Sequence, residues 1–121
     1  MTDKVRTPKE IYAEFARTWN AMDVDANSAL IHPDNKYHHL YKEVLNKEQT
    51  HKLHQESMAA LASTKYEILD MIEEGDKVAA RSMLTNTFKD GTVMKLMIHE
   101  YDVCKDGMFL EGYACFQLLE D

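Results

Sequence analysis

Three glycine turns divide the second half of this chain into segments of similar length, and that spacing leaves few folds open. Gly75-Asp76, Asp90-Gly91 and Asp106-Gly107 supply the positive φ that tight hairpin turns require. The stretches between them are rich in strand formers. They predict strands at about 65–73, 77–88, 93–104 and 108–118. That is a four-stranded antiparallel meander of strands longer than the usual five or six residues, and such strands curl.

The first half reads as helical. Thr7-Pro8-Lys9-Glu10 combines an N-cap threonine, proline at the first helical position and a glutamate three residues after the cap. Ile11, Phe15, Trp19 and Met22 follow as one apolar stripe at helical spacing. Asp23 or Asp25 caps a shorter helix through Ala29, Leu30 and Ile31, and His32-Pro33-Asp34 breaks it. Lys36 to Tyr41 predicts a small strand. Asn46-Lys47-Glu48-Gln49 is a second capping box, opening a helix to about Ala62 with Leu53, His54, Ser57, Met58 and Leu61 on its inner face. Helices segregated from an antiparallel sheet make an α+β fold. No linker or repeat interrupts it, so residues 1–121 read as a single domain.

Composition narrows the function. With 45% hydrophobic residues in 121, the chain can bury a core without metal or disulfide. Twenty-one acidic against 14 basic residues give a net charge of −7, which argues against nucleic-acid binding. No apolar run is long enough to span a membrane, and the first residues lack the apolar stretch of a signal peptide. Cys104 and Cys115 form no CxxC pair and read as free thiols of a reducing cytoplasm. The glycine-rich dinucleotide and phosphate-loop patterns and the haem-attachment pattern are absent, so no nucleotide, flavin or haem cofactor is expected. His51 and His54 stand three apart without a third local ligand, so no metal is expected either.

Met22-Asp23-Val24-Asp25 leading to Leu30-Ile31-His32-Pro33-Asp34, then Glu74-Gly75-Asp76-Lys77-Val78-Ala79-Ala80-Arg81, then Lys105-Asp106-Gly107, occur in an order and spacing that resembles the SnoaL-like group of the nuclear-transport-factor-2-like superfamily. The resemblance covers nearly the whole chain. It implies a cone: a curled sheet, four long strands plus a short one, wrapping N-terminal helices around an apolar pocket. That superfamily holds ketosteroid isomerase, polyketide cyclases and epoxide hydrolases, and also non-catalytic binding and dimerisation modules. Fold alone does not choose among them.

Carried across residue by residue, the isomerase's base aspartate falls on His39, its oxyanion aspartate on His99 and its oxyanion tyrosine on Phe15. A supporting tyrosine falls on His54. The acidic position of the cyclases falls near Gln117. What remains is a histidine pocket in which His39 and His99 are the candidate catalytic pair. Phe15, Trp19, His54, Met58, Met97 and Phe116 are its candidate substrate-binding walls. A one-residue shift of register would turn His38 inward in place of His39. Strand alternation sets Asp102 on the face opposite His99. Two readings stay open. One is a cofactor-independent acid–base enzyme, of isomerase, cyclase or dehydratase type, acting on a small apolar carbonyl-type molecule. The other is a ligand-binding or dimerisation module. A homodimer through the outer sheet face is expected in either case.

Overall fold

The computed structural model describes residues 5–39 and 43–119. Helix α1 (Pro8–Asn20) and the short α2 (Val24–Ser28) precede strands β1 (Ile31–His39) and β2 (Glu43–Leu45). Helix α3 (Lys47–Ala59) follows, then four long strands: β3 (Leu61–Glu74), β4 (Lys77–Phe88), β5 (Val93–Lys105) and β6 (Met108–Leu119). They form one curled, unclosed sheet in the order β2-β1-β6-β5-β4-β3, antiparallel except for the parallel β1–β6 pair. The α+β expectation holds.

Both helix starts form as their sequences dictate. Glu10 N–H donates to Thr7 Oγ1 at 3.2 Å, and Thr7 N–H to Glu10 Oε1 at 2.9 Å. The Asn46–Gln49 pair does the same, each bond at 2.9 Å. Such caps contribute about 1 kcal/mol each. Asp23 is the cap of α2, accepting from Ala26 N–H at 3.0 Å. At the last hairpin Asp106 and Gly107 both take positive φ, 56° and 75°, as a primed turn requires.

Three boundaries differ from expectation. The sheet has six strands among the described residues, because β2 adds one to the expected five, and β1 begins at Ile31 with His32-Pro33-Asp34 inside it. The β1–β6 ladder is irregular between Ile31 and Lys36, and β2 pairs only from Tyr37 onward. The missing N–H of Pro33 therefore interrupts no regular pairing. The expected small strand is the C-terminal part of β1, and its residues 40 and 41 lie outside the described residues. Helix α3 ends at Ala59 rather than near Ala62, because Leu61 already pairs with Phe88 as the first residue of β3.

The core lies between α1 and the concave sheet face. Ile11 and Tyr12 of α1 meet Tyr66, Val78, Leu84, Ile98 and Phe109, all buried. Asn20 fastens the end of α1 to β3: its Nδ2 donates to Tyr66 O at 3.0 Å, and its Oδ1 accepts from Tyr66 N–H at 2.6 Å. Cys104 is a buried free thiol, and burial pushes it up to about 12. It is an inert core atom. No helix among the described residues is long and apolar enough to cross a membrane.

Candidate functional site

The concave face does not fill completely. A cavity of about 390 Å³ remains between the sheet and helices α1 and α3, within the usual range for small-molecule sites. Phe15 and Trp19 enter it from α1, Leu53 and His54 from α3, Leu84 from β4, Leu96 and Ile98 from β5, and Phe116 from β6. Trp19 and His54 rings meet edge to face at 5.1 Å, and Phe15 stacks on Trp19 at 6.1 Å. The indole N–H donates to Thr64 Oγ1 at 3.0 Å, and that hydroxyl donates to Asn86 Oδ1 at 2.6 Å. The aromatic wall is therefore anchored through both its faces and its polar edge.

Into this apolar space β5 projects two acids. Strand alternation puts Met94, Leu96, Ile98, Glu100 and Asp102 in the cavity wall. Their cross-strand partners explain the room they have. Glu100 lies between Ala80 of β4 and Ala114 of β6, and Asp102 lies between Val78 and Gly112. At Gly112 even a Cβ would come within 2.6 Å of Asp102 Oδ1, so the carboxyl occupies the space a side chain would take.

The two carboxyl groups sit next to one another and share their environment. Burial raises the pKa of Glu100 above the ordinary carboxylate range. Burial raises Asp102 further, assisted by the adjacent Glu100 charge. Asp102 Oδ2 is buried and finds no donor among the described residues. A proton held between the two acids would satisfy it, and two carboxyls this close titrate as a unit. Three phenols lie close enough to feel the Glu100 charge. Burial, followed by that charge, raises Tyr12, Tyr37 and Tyr66, so all three stay protonated. Tyr37 and Tyr66 line the cavity. The Tyr12 and Tyr66 hydroxyls meet at 2.5 Å, and Tyr12 reaches Ser82 Oγ at 3.2 Å.

Opposite the acids stands His39. It occupies the same cross-strand row as Glu100, because Ala114 pairs with both. The two backbones are thus two strand spacings apart, roughly 10 Å, with only a methyl group between them. His39 meets Tyr37 and Phe116 edge to face at 5.7 and 6.3 Å. His54 is neutral: burial lowers it to about 4, and the neighbouring His51 and His39 add to that.

The sequence-derived candidates divide. His39, Phe15, Trp19, His54 and Phe116 line the cavity. Met58 is buried in the core cluster rather than in the cavity wall. His99 and Met97 are corrected. Arg81 pairs with His99, and Ser82 with Ile98, so His99 shares a face with Arg81, and that face is the outer one. His99 is exposed there and lines a separate depression of about 370 Å³ with Asp70, Arg81 and Cys115. Met97, two residues away, points the same way. His99 and His39 therefore do not meet in one cavity. His38, the alternative to His39, lies on the outer face and stacks on Tyr113 at 4.2 Å.

The residues missed were the acids themselves. Alternation sets Asp102 opposite His99, and it is Asp102 that faces inward. A signal existed in Gly112, the one glycine outside a turn, followed at the next inward position by Ala114.

Comparison with known proteins agrees with this architecture. No curated protein matches the sequence. Among solved structures, the putative polyketide cyclase IdmH from Streptomyces antibioticus superposes with a TM-score of 0.80 at 19% identity, covering 93% of each chain. The putative hydroxylase AclR from Streptomyces galilaeus gives 0.82 at 19% identity, covering 92% of this chain and 79% of that one. A protein of ketosteroid isomerase-like fold from Catenulispora acidiphila, solved with trimethylamine, gives 0.77 at 18% identity over 91% and 86%. At these identities the likeness is one of fold. Residues 12–112 match the SnoaL-like domain, and the chain belongs to that family.

Proposed function

We propose that this protein is a cofactor-independent acid–base enzyme, of isomerase, cyclase or dehydratase type, acting on a small apolar carbonyl compound. The observation that carries the reading is the row Glu100–Ala114–His39, which sets a buried carboxyl pair and an imidazole side by side in the wall of one apolar cavity. A ketone oxygen placed at the acids accepts the hydrogen bond of their proton. The carbon beside that carbonyl then lies toward His39. The imidazole takes the C–H proton, the electron pair moves into the enolate oxygen, and the shared proton stabilises the charge that develops there. Returning the proton to another carbon, or expelling a leaving group, completes an isomerisation or an elimination. The low polarity of the wall strengthens each of these electrostatic contacts.

The experiment is hydrogen exchange. 1-Tetralone in D₂O should exchange its α-protons faster with the protein than without it. His39→Ala should lower the protein-dependent rate by about a hundredfold or more. Saturable quenching of Trp19 fluorescence by tetralone with no exchange above the buffer rate would leave a ligand-binding module instead.

We further propose that the outer sheet face pairs two copies of the chain and that the protein works in the reducing cytoplasm. The face carries exposed Ile72, Tyr101 and Tyr113 around a shallow depression, and exposed apolar clusters of that kind seek cover. The free thiols Cys104 and Cys115 suit the compartment.

A further inference from the structure

The cavity holds a second set of polar atoms that proton transfer leaves unused. Asn35 and Thr50 line its wall and are 6% and 2% exposed. Asn35 Oδ1 and Thr50 Oγ1 are buried without a hydrogen-bond partner among the described residues. The Asn35 amide is held in place, because its Nδ2 donates to Phe109 O at 2.9 Å, and Oδ1 is its unengaged end. Thr50 is held by its backbone, whose N–H donates to Asn46 O at 2.9 Å. The two belong to one corner. Strand β2 runs antiparallel to β1 with Leu45 opposite Tyr37, so the chain enters α3 beside the Asn35 end of β1. One turn of helix then carries Thr50 over it.

Buried polar atoms are rarely left unpaired in folded proteins, and these two specify what would pair them. An amide oxygen only accepts; a threonine hydroxyl both donates and accepts. A ligand hydroxyl answers both at once, donating to Asn35 Oδ1 and accepting from Thr50 Oγ1. A ketone oxygen satisfies Thr50 alone, and an ammonium leaves the threonine proton unbound. Asn35 and His39 are four residues apart on β1, roughly 13 Å, and Asp102 shares the row of Tyr37, two residues along from Asn35, so this corner and the acids are separate points of one wall.

We propose that Asn35 and Thr50 form a hydroxyl subsite. The compound taken by the cavity is then an apolar hydroxy-ketone with its two oxygens at separate points of one wall. The ketone half of this assignment rests on the acid–base reading above; the hydroxyl half does not. Binding is read from Trp19, the single tryptophan of the chain and part of the cavity wall. The protein should bind 6-hydroxy-1-tetralone on the order of tenfold more tightly than 1-tetralone, and 6-methoxy-1-tetralone no better than 1-tetralone. Thr50→Val should abolish that preference, and Thr50→Ser should restore it. Equal binding of the two tetralones, a preference that survives Thr50→Val, or no saturable binding of the hydroxy-ketone overturns the subsite. Glu100→Gln tests the other oxygen. If it changes neither affinity nor exchange, the carbonyl assignment fails while a Thr50-dependent preference still stands.

Discussion

Asp102 and Gly112 face each other across β5 and β6, and the carboxyl of one fills the volume a Cβ of the other would need, 2.6 Å from Oδ1. Gly112→Ala is therefore expected to push Asp102 out of register with Glu100. In an ordinary strand, alanine would be the better residue by a fraction of a kcal/mol. Here overpacking should reverse that sign and destabilise by about 1–3 kcal/mol in urea titration. Tetralone exchange should fall with it. Unchanged stability and unchanged exchange would show that Asp102 has room to spare.

The acid pair should also be visible in the pH dependence of stability. Both carboxyls are raised by burial, and Asp102 is raised further by Glu100. The native state therefore holds a proton that the unfolded chain releases near pH 4. With more protons bound in the folded state, stability is full below that pH and falls as pH rises through the native value. The slope should approach about 1.4 kcal/mol per pH unit for one proton. Asp102→Asn removes the charge at nearly constant shape. Its stability should fall less between pH 5 and 8 than that of the parent chain. Parallel curves for the two proteins would mean that the pair is solvated.

Most of the fold was legible in the chain and part of the site was not, for one physical reason. Glycine turns and capping boxes are local, so Asp106-Gly107 and Asn46–Gln49 announce their geometry within four residues. Which face of β5 turns inward is not local. It depends on the pairing of Arg81 with His99 and Ser82 with Ile98, and a shift of one residue exchanges the faces. His39 faces inward because β1 carries its own alternation, with Asn35, Tyr37 and His39 all in the wall. On β5 alternation separates His99 from Asp102 without saying which of the two faces inward. The start of β1 was hidden for a different reason: Pro33 signals a break wherever the neighbouring strands need its N–H, and here they do not.

His54 should oppose the acid pair below pH 6.5. Burial lowers it to about 4, against about 6.5 in an unfolded chain. The unfolded state binds the extra proton, so His54 costs nothing above pH 6.5 and destabilises progressively as pH falls toward 4. His54→Leu should remove this term while keeping the contact with Trp19, so that between pH 6.5 and 4 the variant gains stability relative to the parent as pH falls. It would leave the opposite slope of the acid pair in place. An unaltered acid limb in His54→Leu would show that the imidazole is hydrated in the folded protein.

The outer face gives the last expectation. Ile72 is 68% exposed on β3, Tyr101 and Tyr113 lie 6.0 Å apart nearby on β5 and β6, and Met97 faces the same way. Arg81 and Asp70 pair across β4 and β3 within the same surface, so the face offers apolar area with charges of both signs. A second copy, turned by a two-fold axis, can match such a surface against itself. Sedimentation at tens of micromolar should give twice the 14.0 kDa chain mass. Ile72→Lys combined with Tyr101→Lys should return the chain mass with little change in fold, because both residues are already exposed and substitutions at such positions usually move stability by less than about 0.5 kcal/mol. The cavity opens on the other face, so the double variant should still quench Trp19 on binding tetralone. A monomeric parent protein would refute the pairing. Loss of tetralone binding in the monomeric variant would mean instead that the second copy helps to shape the cavity.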